Sequence, residues 1–451
     1  MGNLFGALWA YVVLGWGGYW AWDPVENAAL MPWLTLTAYL HSVMIQEKKG
    51  MLKVWNMVLV ILTFLLTIFG TFLTRSGVIS SVHSFTQSGL GPYFLAFLGV
   101  AVVFSFGLLF WRLRDLRSEN ELDSFLSREA AFLLNNLILV GICFATFWGT
   151  IFPVLSEWVR GVKITVGPPF FNRVNAPLGL VLLFLTGVGP VIAWRRASAR
   201  NLRRNVLLPM GFGFALGLAL FAVGLRDFYG LVSFSLCGFV FATILAEFYR
   251  GVRARQALVG EAPWTALVRL VSKNKRRYGG YVIHLGVVLV FVAITGSSVL
   301  RLEAQTPLRR GESFTIGGYE LRFDGIERRE NAHLATMAAR LAVLEDGRLV
   351  DVLRPEKRFY KKPEQPVTEV AIRSTLGSDL YVVLGAYDEK SGIATIQAYV
   401  NPLIGFLWYG GLVMVLGTAI VFLPTAAERR ERALARSAAA APDVARETAR
   451  P

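Results

Sequence analysis

The sequence predicts an all-α polytopic membrane bundle of about ten spans, with a small extracytoplasmic β domain inserted before the last span. Three observations predict it. Of 451 residues, 54% are hydrophobic and only 17% charged, against roughly a quarter charged in soluble domains. Apolar runs recur that approach the roughly 20 residues a helical span needs. Between residues 301 and 401 the pattern changes to short alternating runs separated by Gly-Gly and Asp-Gly turns.

Taken in order, the first run is short, from Leu4 to Leu14. It has no basic n-region and no small-residue cleavage site, so it reads as a membrane segment and not a removed signal. The opening Met1-Gly-Asn-Leu4 lies almost inside this run, which suggests a chain with something missing upstream. A tryptophan-rich loop completes residues 1–27. The spans expected next are Ala28 to Gln46, Val54 to Leu73, Pro92 to Phe110, Ala131 to Phe152, Pro177 to Trp194, Leu207 to Leu225, Tyr229 to Phe248 and Tyr281 to Leu300. They form a bundle over residues 28–300 that includes a loop carrying His83. Residues 301–401 read as the β domain, with Ile316-Gly-Gly-Tyr319 and Glu345-Asp-Gly-Arg348 as turns between runs such as Tyr319 to Phe323, Leu341 to Leu344, Glu369 to Ile372 and Leu380 to Leu384. The last span is Pro402 to Leu423, within residues 402–424, and the Ala/Arg-rich tail 425–451 has little to bury.

The formal charge of +15 does not point to nucleic acid, because Lys and Arg fall in clusters between apolar runs and do not form one basic face. The clusters are Lys48, Lys49 and Lys53; Arg112, Arg114 and Arg117; Arg195 to Arg204; Arg250 to Arg277; and Arg429 to Arg432. They occupy every second loop, so one orientation puts all of them on the cytoplasmic side. The opposite, periplasmic face then carries the tryptophan-rich loop, the His83 loop, the loop around Pro168 and the β domain. Cys143 and Cys237 lie inside apolar runs without a C-x-x-C pair, which fits core packing better than thiol chemistry or zinc.

The four histidines divide by location. His41 and His284 fall within spans, where an ionisable group is costly and usually faces a partner or cofactor. An interhelical hydrogen bond would account for either one alone. Their depth favours more: His41 is six residues before Glu47 and His284 seven after Arg277, so at 1.5 Å per residue both sit about 9 to 11 Å from the same boundary. Imidazoles at equal depth on opposed helices can ligate one iron, giving a bis-His b-type haem in the bundle. His83 follows Thr74-Arg-Ser-Gly-Val-Ile-Ser-Ser-Val82 on the same side as the tryptophan-rich loop. It is either a solvated loop residue or an axial ligand to a second, external haem. Arg75 is placed for haem propionates, although a juxtamembrane anchor is its ordinary role. His333, in the β domain, has no partner signal and reads as surface.

The loop itself is Trp16-Gly-Gly-Tyr-Trp20-Ala-Trp22-Asp23-Pro24-Val25-Glu26-Asn27. Asp23-Pro24-Val25-Glu26 is a helix start, with Asp as N-cap, Pro at the first helical position and Glu as the reciprocal capping-box residue. Interfacial anchoring would explain two or three of the rings. The spacing of Trp16, Trp20 and Asp23 at i, i+4 and i+7 adds the expectation of a shared helical face. Gly15, Gly17 and Gly18 would leave room for a flat macrocycle to approach, with Trp16, Trp20, Trp22 and Asp23 as its platform.

At these residues the sequence resembles the haem-handling membrane proteins with a tryptophan-rich WWD loop, and within them the CcmF family of cytochrome c maturation. The residues that carry the resemblance are Trp22-Asp-Pro-Val-Glu-Asn27 with Met31-Pro-Trp33, Phe72-Leu-Thr-Arg-Ser-Gly77 with His83, Val166-Gly-Pro-Pro-Phe-Phe-Asn172, Leu353-Arg-Pro-Glu-Lys-Arg358 with Tyr360, and Asn401-Pro402 with Gly410-Gly411. The resemblance implies a haem lyase component of the bacterial inner membrane that attaches haem to the C-x-x-C-H motif of apocytochrome c. It implies that His41 and His284 hold a transmembrane haem b and that His83 is the second of two external ligands flanking the loop. The first external ligand of the family lies upstream of the loop, and this sequence has no histidine before His41. The implied partners are the haem chaperone CcmE, apocytochrome c, CcmH/CcmI-type apocytochrome-handling proteins and a separate N-terminal CcmF polypeptide, with quinol as reductant.

Two other classes compete. A b-type electron-transfer subunit would use His41 and His284 but leaves the tryptophan-rich loop and the β domain unexplained. A haem or other transporter would need polar groups lining a path, and beyond the histidines the span interiors carry almost none.

Overall fold

The computed structural model describes residues 1–79, 81, 89–120, 122, 124, 127–192, 199–361, 366–424 and 429–430. Most of the tail expected after Thr425 therefore lies outside the described residues. The helices are α1 (Gly2–Val13), α2 (Pro24–Lys49), α3 (Lys53–Ser76), α4 (Gly91–Trp111), α5 (Arg128–Arg160), α6 (Pro168–Val188), α7 (Ala199–Ala222), α8 (Phe228–Val259), α9 (Pro263–Lys273), α10 (Lys275–Val299) and α11 (Gly405–Phe422). Among the described residues, nine of these are long and apolar enough to cross a membrane. The exceptions are instructive. α1 is apolar but has 12 residues, about 18 Å of helix against a hydrocarbon core of about 30 Å.

α5, α7 and α8 run well past the expected span boundaries, to Arg160, from Ala199 and to Val259, and two further elements depart for local reasons. α6 begins at Pro168 and not near Pro177, because Gly167 and a proline at the first helical position start it early and Pro177 is accommodated inside. α9 sits where a basic loop was expected. Pro263 opens it, Ala266 is fully buried, and Glu261 ties Arg255 (2.7 Å) to Arg269 (2.5 Å) across the turn from α8.

The basic residues around the α2–α3 turn and at the starts of α5 and α10 gather at one end of the bundle. There Arg276 meets Glu47 at 2.9 Å, Lys49 lies 3.7 Å from the buried Glu129, and Arg128 donates to the carbonyls of Pro190 and Ile192. Arg277 turns inward, where it and Arg250 each reach the buried Glu247 at 2.5 Å while Tyr281 donates to the same carboxylate at 3.2 Å. A carboxylate at that depth is tolerable because every charge on it is matched.

Among the described residues, ten strands form a sandwich between α10 and α11. β1 (Leu302–Leu308), β8 (Ala371–Ser374), β9 (Ser378–Asp388) and β10 (Ile393–Pro402) make a four-stranded sheet in the order β1-β10-β9-β8. β2 (Ser313–Ile316), β3 (Tyr319–Glu330), β4 (Leu334–Glu345), β6 (Glu356–Tyr360) and β7 (Pro366–Glu369) make the second, with β5 (Arg348–Leu353) also paired to β4. Gly317-Gly318 and Asp346-Gly347 form the tight turns, all four residues at positive φ. Alternate side chains from both sheets, among them Leu321, Phe323, Leu341, Val343, Leu380, Val382, Leu384 and Ile396, fill a fully buried core.

α10 and α11 are packed through glycine. A Cβ on Gly286 would come within 2.6 Å of the Gly410 carbonyl, and one on Gly410 within 2.7 Å of the Gly286 carbonyl. One turn pair further along, a Cβ on Gly279 would lie 3.0 Å from the Gly417 carbonyl and one on Gly417 2.9 Å from that of Gly279. Backbones approach this closely only where side chains are absent, and in lipid such contact is the main source of helix association. Gly286→Leu is expected to lower the thermal unfolding midpoint of the detergent-solubilised protein, with an overpacking cost of about 1–3 kcal/mol. Gly280→Ala, whose new Cβ meets nothing within 4 Å, is expected to leave the midpoint in place.

Candidate functional site

The tryptophan-rich loop ends in a formed helix cap. Asp23 is extended, its Oδ2 accepts from the Val25 amide at 3.0 Å, and Glu26 Oε2 accepts from the amides of Asp23 (3.2 Å) and Ala21 (2.9 Å). Asp23 and Glu26 thus begin α2, as their sequence pattern indicates. Asp23 has a further partner: Ser81 Oγ donates to its Oδ2 at 2.5 Å. That bond carries the chain from the end of α3 back onto the loop, two residues before His83. His83 itself lies outside the described residues.

The expected shared helical face of Trp16, Trp20 and Asp23 is not formed. Residues 14–23 are irregular, because Gly15 and Gly17 adopt φ of 71° and 72° and Trp22 adopts 58°, which breaks any helical repeat. The rings assemble through tertiary contacts. Trp20 packs edge-on against Trp22 with centroids 5.7 Å apart, and Trp22 stacks on Phe171 at 5.0 Å and 12°. Trp22 Nε1 donates to Asn172 Oδ1 at 2.8 Å, and Asn27 Nδ2 bridges the Trp22 carbonyl and Thr150 Oγ1, each at 3.1 Å. Trp16, Trp20 and Trp22 are all half-buried. Behind Trp22 lies a cavity of about 140 Å3 reached by Asn27, Ile79, Thr150 and Phe171. Ligand pockets run from roughly 300 Å3 upward, so this cavity is too small for a large planar ligand.

The first half of the loop is held by the β domain. Asn401 Nδ2 donates to the Gly17 carbonyl and to the Tyr11 hydroxyl, both at 3.2 Å, and Tyr11 Oη donates to Asp379 Oδ2 at 3.1 Å. Tyr19 Oη and Ser297 Oγ lie 3.2 Å apart. A Cβ on Gly17 would come within 2.7 Å of the Tyr399 ring, so only glycine fits. Burial pushes the Asp379 carboxyl above the usual carboxylate range and the Tyr381 hydroxyl up to about 12. Arg75 occupies the last turn of α3 with its side chain exposed.

At the other end of the bundle His41 on α2 and His284 on α10 face each other. Their ring centroids are 6.5 Å apart and their planes within 9° of parallel. An imidazole nitrogen binds a first-row metal at about 2 Å with the ring centre about 1 Å beyond, so two imidazoles on one ion have centres about 6 Å apart. The observed centroid spacing is close to that distance. His41 Nδ1 lies 2.8 Å from the Thr37 carbonyl, a contact that fixes Nδ1 as the protonated nitrogen and leaves Nε2 with its lone pair. Nδ1 of His284 is buried and has no hydrogen-bond partner. Phe132 closes the side of His41 at 5.8 Å. No group of three or more His, Cys, Asp or Glu among the described residues could hold a bare metal ion. A pair of imidazoles suits a metal whose other ligands come with it, as in a haem.

His333 is exposed in the turn before β4, where its amide donates to Asn331. Cys143 and Cys237 are buried free thiols, close to the carbonyls of Met31 and Val288. The residues that hold the loop, namely Tyr11, Phe171, Asn172, Asp379 and Asn401, were not identified as site residues from sequence. Phe171, Asn172 and Asn401 lie within motifs that sequence singles out, but their partners are up to 390 residues away.

A family model described as the CcmF C-terminal beta-sandwich matches residues 299–402, and one described as cytochrome C assembly protein matches residues 1–79. The cytochrome c-type biogenesis protein CycK of Bradyrhizobium diazoefficiens is 35% identical over 92% of this chain and 63% of its own length. The CcmF proteins of Pseudomonas aeruginosa and Escherichia coli are 34% and 33% identical over 94% and 92% of this chain, and over 63% and 62% of their own lengths. A solved structure titled Cytochrome c Heme Lyase CcmF superposes with a TM-score of 0.74 at 32% identity, covering 94% of this chain and 64% of that one. This chain therefore spans somewhat under two thirds of the length of those relatives.

Two measurements test how the loop is held. Asp23→Ala removes the cap and the Ser81 partner, so amide exchange at Val25 to Asn27 is expected to quicken, with a stability loss of about 1 kcal/mol; Asp23→Asn keeps an acceptor and is expected to exchange near the wild-type rate. Asp379 has a folded pKa above its unfolded value, so its contribution is full at low pH and is lost as pH rises through the folded pKa. The unfolding midpoint of Asp379→Asn relative to wild type is accordingly expected to improve from pH 4 to pH 7, the amide still accepting from Tyr11.

Proposed function

The chain belongs to the CcmF family of cytochrome c-type biogenesis proteins, and on that premise we propose that it presents haem for attachment to apocytochrome c through thioether bonds to a C-x-x-C-H motif. The observation that carries the haem reading is the His41–His284 pair, parallel and 6.5 Å apart. These two residues would hold a resident haem b, which when bound supplies one-electron chemistry to the site. His41 is oriented for this by Thr37, and His284 offers a nitrogen that the protein leaves without a partner.

The substrate haem is read on the opposite end. Trp16, Trp20 and Trp22 would present the macrocycle, Asp23 would keep the loop attached to α2 and to the segment leading to His83, and His83 would ligate the substrate iron. Arg75 is a candidate propionate contact. Attachment joins each haem vinyl group to a cysteine thiol, so the protein's part is mainly positioning: two vinyls must meet two thiols in one orientation. A loop held from both the β domain and α6 supports that role. With the resident haem as the reductant of the exported one, quinol would be the electron source. CcmE as haem donor, CcmH/CcmI-type proteins for the reduced apocytochrome, and a separate N-terminal CcmF polypeptide supplying the other external ligand complete the proposed partners. In this reading the membrane is the bacterial inner membrane, with the tryptophan-rich loop and β domain in the periplasm.

A reduced-minus-oxidised spectrum of the purified protein separates the two haem sites. Wild type is expected to show b-type absorbance that His41→Ala and His284→Ala abolish. His83→Ala is expected to keep that absorbance while its host strain stops accumulating holocytochrome c. Absorbance that survives both bundle substitutions would remove the resident haem, and normal holocytochrome c in the His83→Ala strain would remove the external ligand.

A further inference from the structure

We propose that Arg301 is a carboxylate clamp for the tetrapyrrole on the tryptophan-rich loop, its guanidinium taking a propionate; this rests on the loop being the haem platform. Arg301 follows α10 directly and lies beside the loop. Seventeen residues separate His284 from Arg301, as seventeen separate Pro24 from His41, so with the two histidines facing each other Arg301 is level with the end of the loop. The contacts agree. Arg301 Nη2 is 2.8 Å from the point a Gly17 Cβ would occupy, and Nη1 is 4.0 Å from that of Gly18. The guanidinium therefore rests on a stretch of backbone without side chains, where a flat ligand can reach it.

The surroundings hold the group in place. Its carbon lies 4.5 Å from the centre of the Tyr399 ring, a cation–π contact that fixes one face. Nε is buried with no hydrogen-bond partner. The neighbouring carboxylate, Glu303, is 3.6 Å from Nη2 with its side chain 61% exposed, which is too long for a hydrogen bond and too wet for a strong pair. A juxtamembrane arginine serving only as an anchor extends to the interface; this one is 30% exposed and folds over Tyr399. A guanidinium held on one face by Tyr399, with its side chain 30% exposed, presents a planar fork of N–H donors that suits a carboxylate, which accepts two parallel hydrogen bonds. Haem brings two carboxylates on one edge, and an Arg there would fix which edge faces the protein. That choice decides which vinyl meets which thiol.

The test compares haemin with its dimethyl ester, which lacks the charged propionates. Each is titrated into the full chain carrying His284→Ala, so that the bundle site does not contribute, and followed by Trp fluorescence quenching. With Arg301 intact, haemin is expected to bind roughly tenfold more tightly than the ester, the size of one charge-assisted hydrogen bond. Arg301→Gln is expected to bring the ratio near one, and Arg301→Lys to leave it between the two, since charge remains but the fork is gone. The ratio is the readout because a general loss of fold weakens both porphyrins alike. A preference that persists in Arg301→Gln, or equal binding of both with Arg301 present, overturns the clamp and leaves the platform standing. Binding of neither porphyrin overturns the platform and the clamp together.

Discussion

The double attachment of residues 15–27 is the constraint on which the rest of this structure depends. At one end of the loop Asn401 and Tyr399 hold Gly17, and at the other Phe171 and Asn172 hold Trp22. Neither attachment alone would fix the tryptophans, because a loop with two glycines at positive φ has little rigidity of its own. Held at both ends, it becomes a surface with defined ring positions. The same residues also start α2, since Asp23 and Glu26 close the cap. The height of every side chain on α2, including His41, follows from where that cap forms.

His284 reaches matching height by a different route. The glycine pairs Gly286–Gly410 and Gly279–Gly417 allow α10 and α11 to approach in one register only, since a shift by one residue would bring a side chain against a carbonyl. Arg276 then ties the start of α10 to Glu47 near the end of α2. Exposed ion pairs contribute little stability, so this one is better read as a register mark. The near-parallel imidazoles are the result of a cap on one helix and a glycine seam on the other.

The bundle was legible because span length and charge bias are strong, local signals, and the depth of the two histidines could be counted from charged residues at the boundary. The two rings lie together, while Arg277 turns inward to Glu247 and its neighbour Arg276 meets Glu47. Local spacing failed in the loop. Trp16, Trp20 and Asp23 have a helical interval, but the glycines that would admit a flat ligand also prevent the helix that would align them. α9 was missed because its eleven residues fall among basic ones and resemble a loop. The Tyr11–Asp379 bond spans 368 residues, and no local pattern encodes it.

The placement of the β domain explains why it can position anything at all. Its first strand begins at Leu302, three residues beyond the end of α10 at Val299, and its last ends at Pro402, shortly before α11 starts at Gly405. Connections this short leave almost no freedom, and both emerge from helices in backbone contact. The sandwich is thus an extension of the α10–α11 seam, and Tyr399 and Asn401, near the end of β10, arrive at the loop in a fixed orientation. Domains on longer tethers move relative to one another by default. Connections as short as these are the physical reason that Tyr399 and Asn401 can hold Gly17 from a separate β-sandwich.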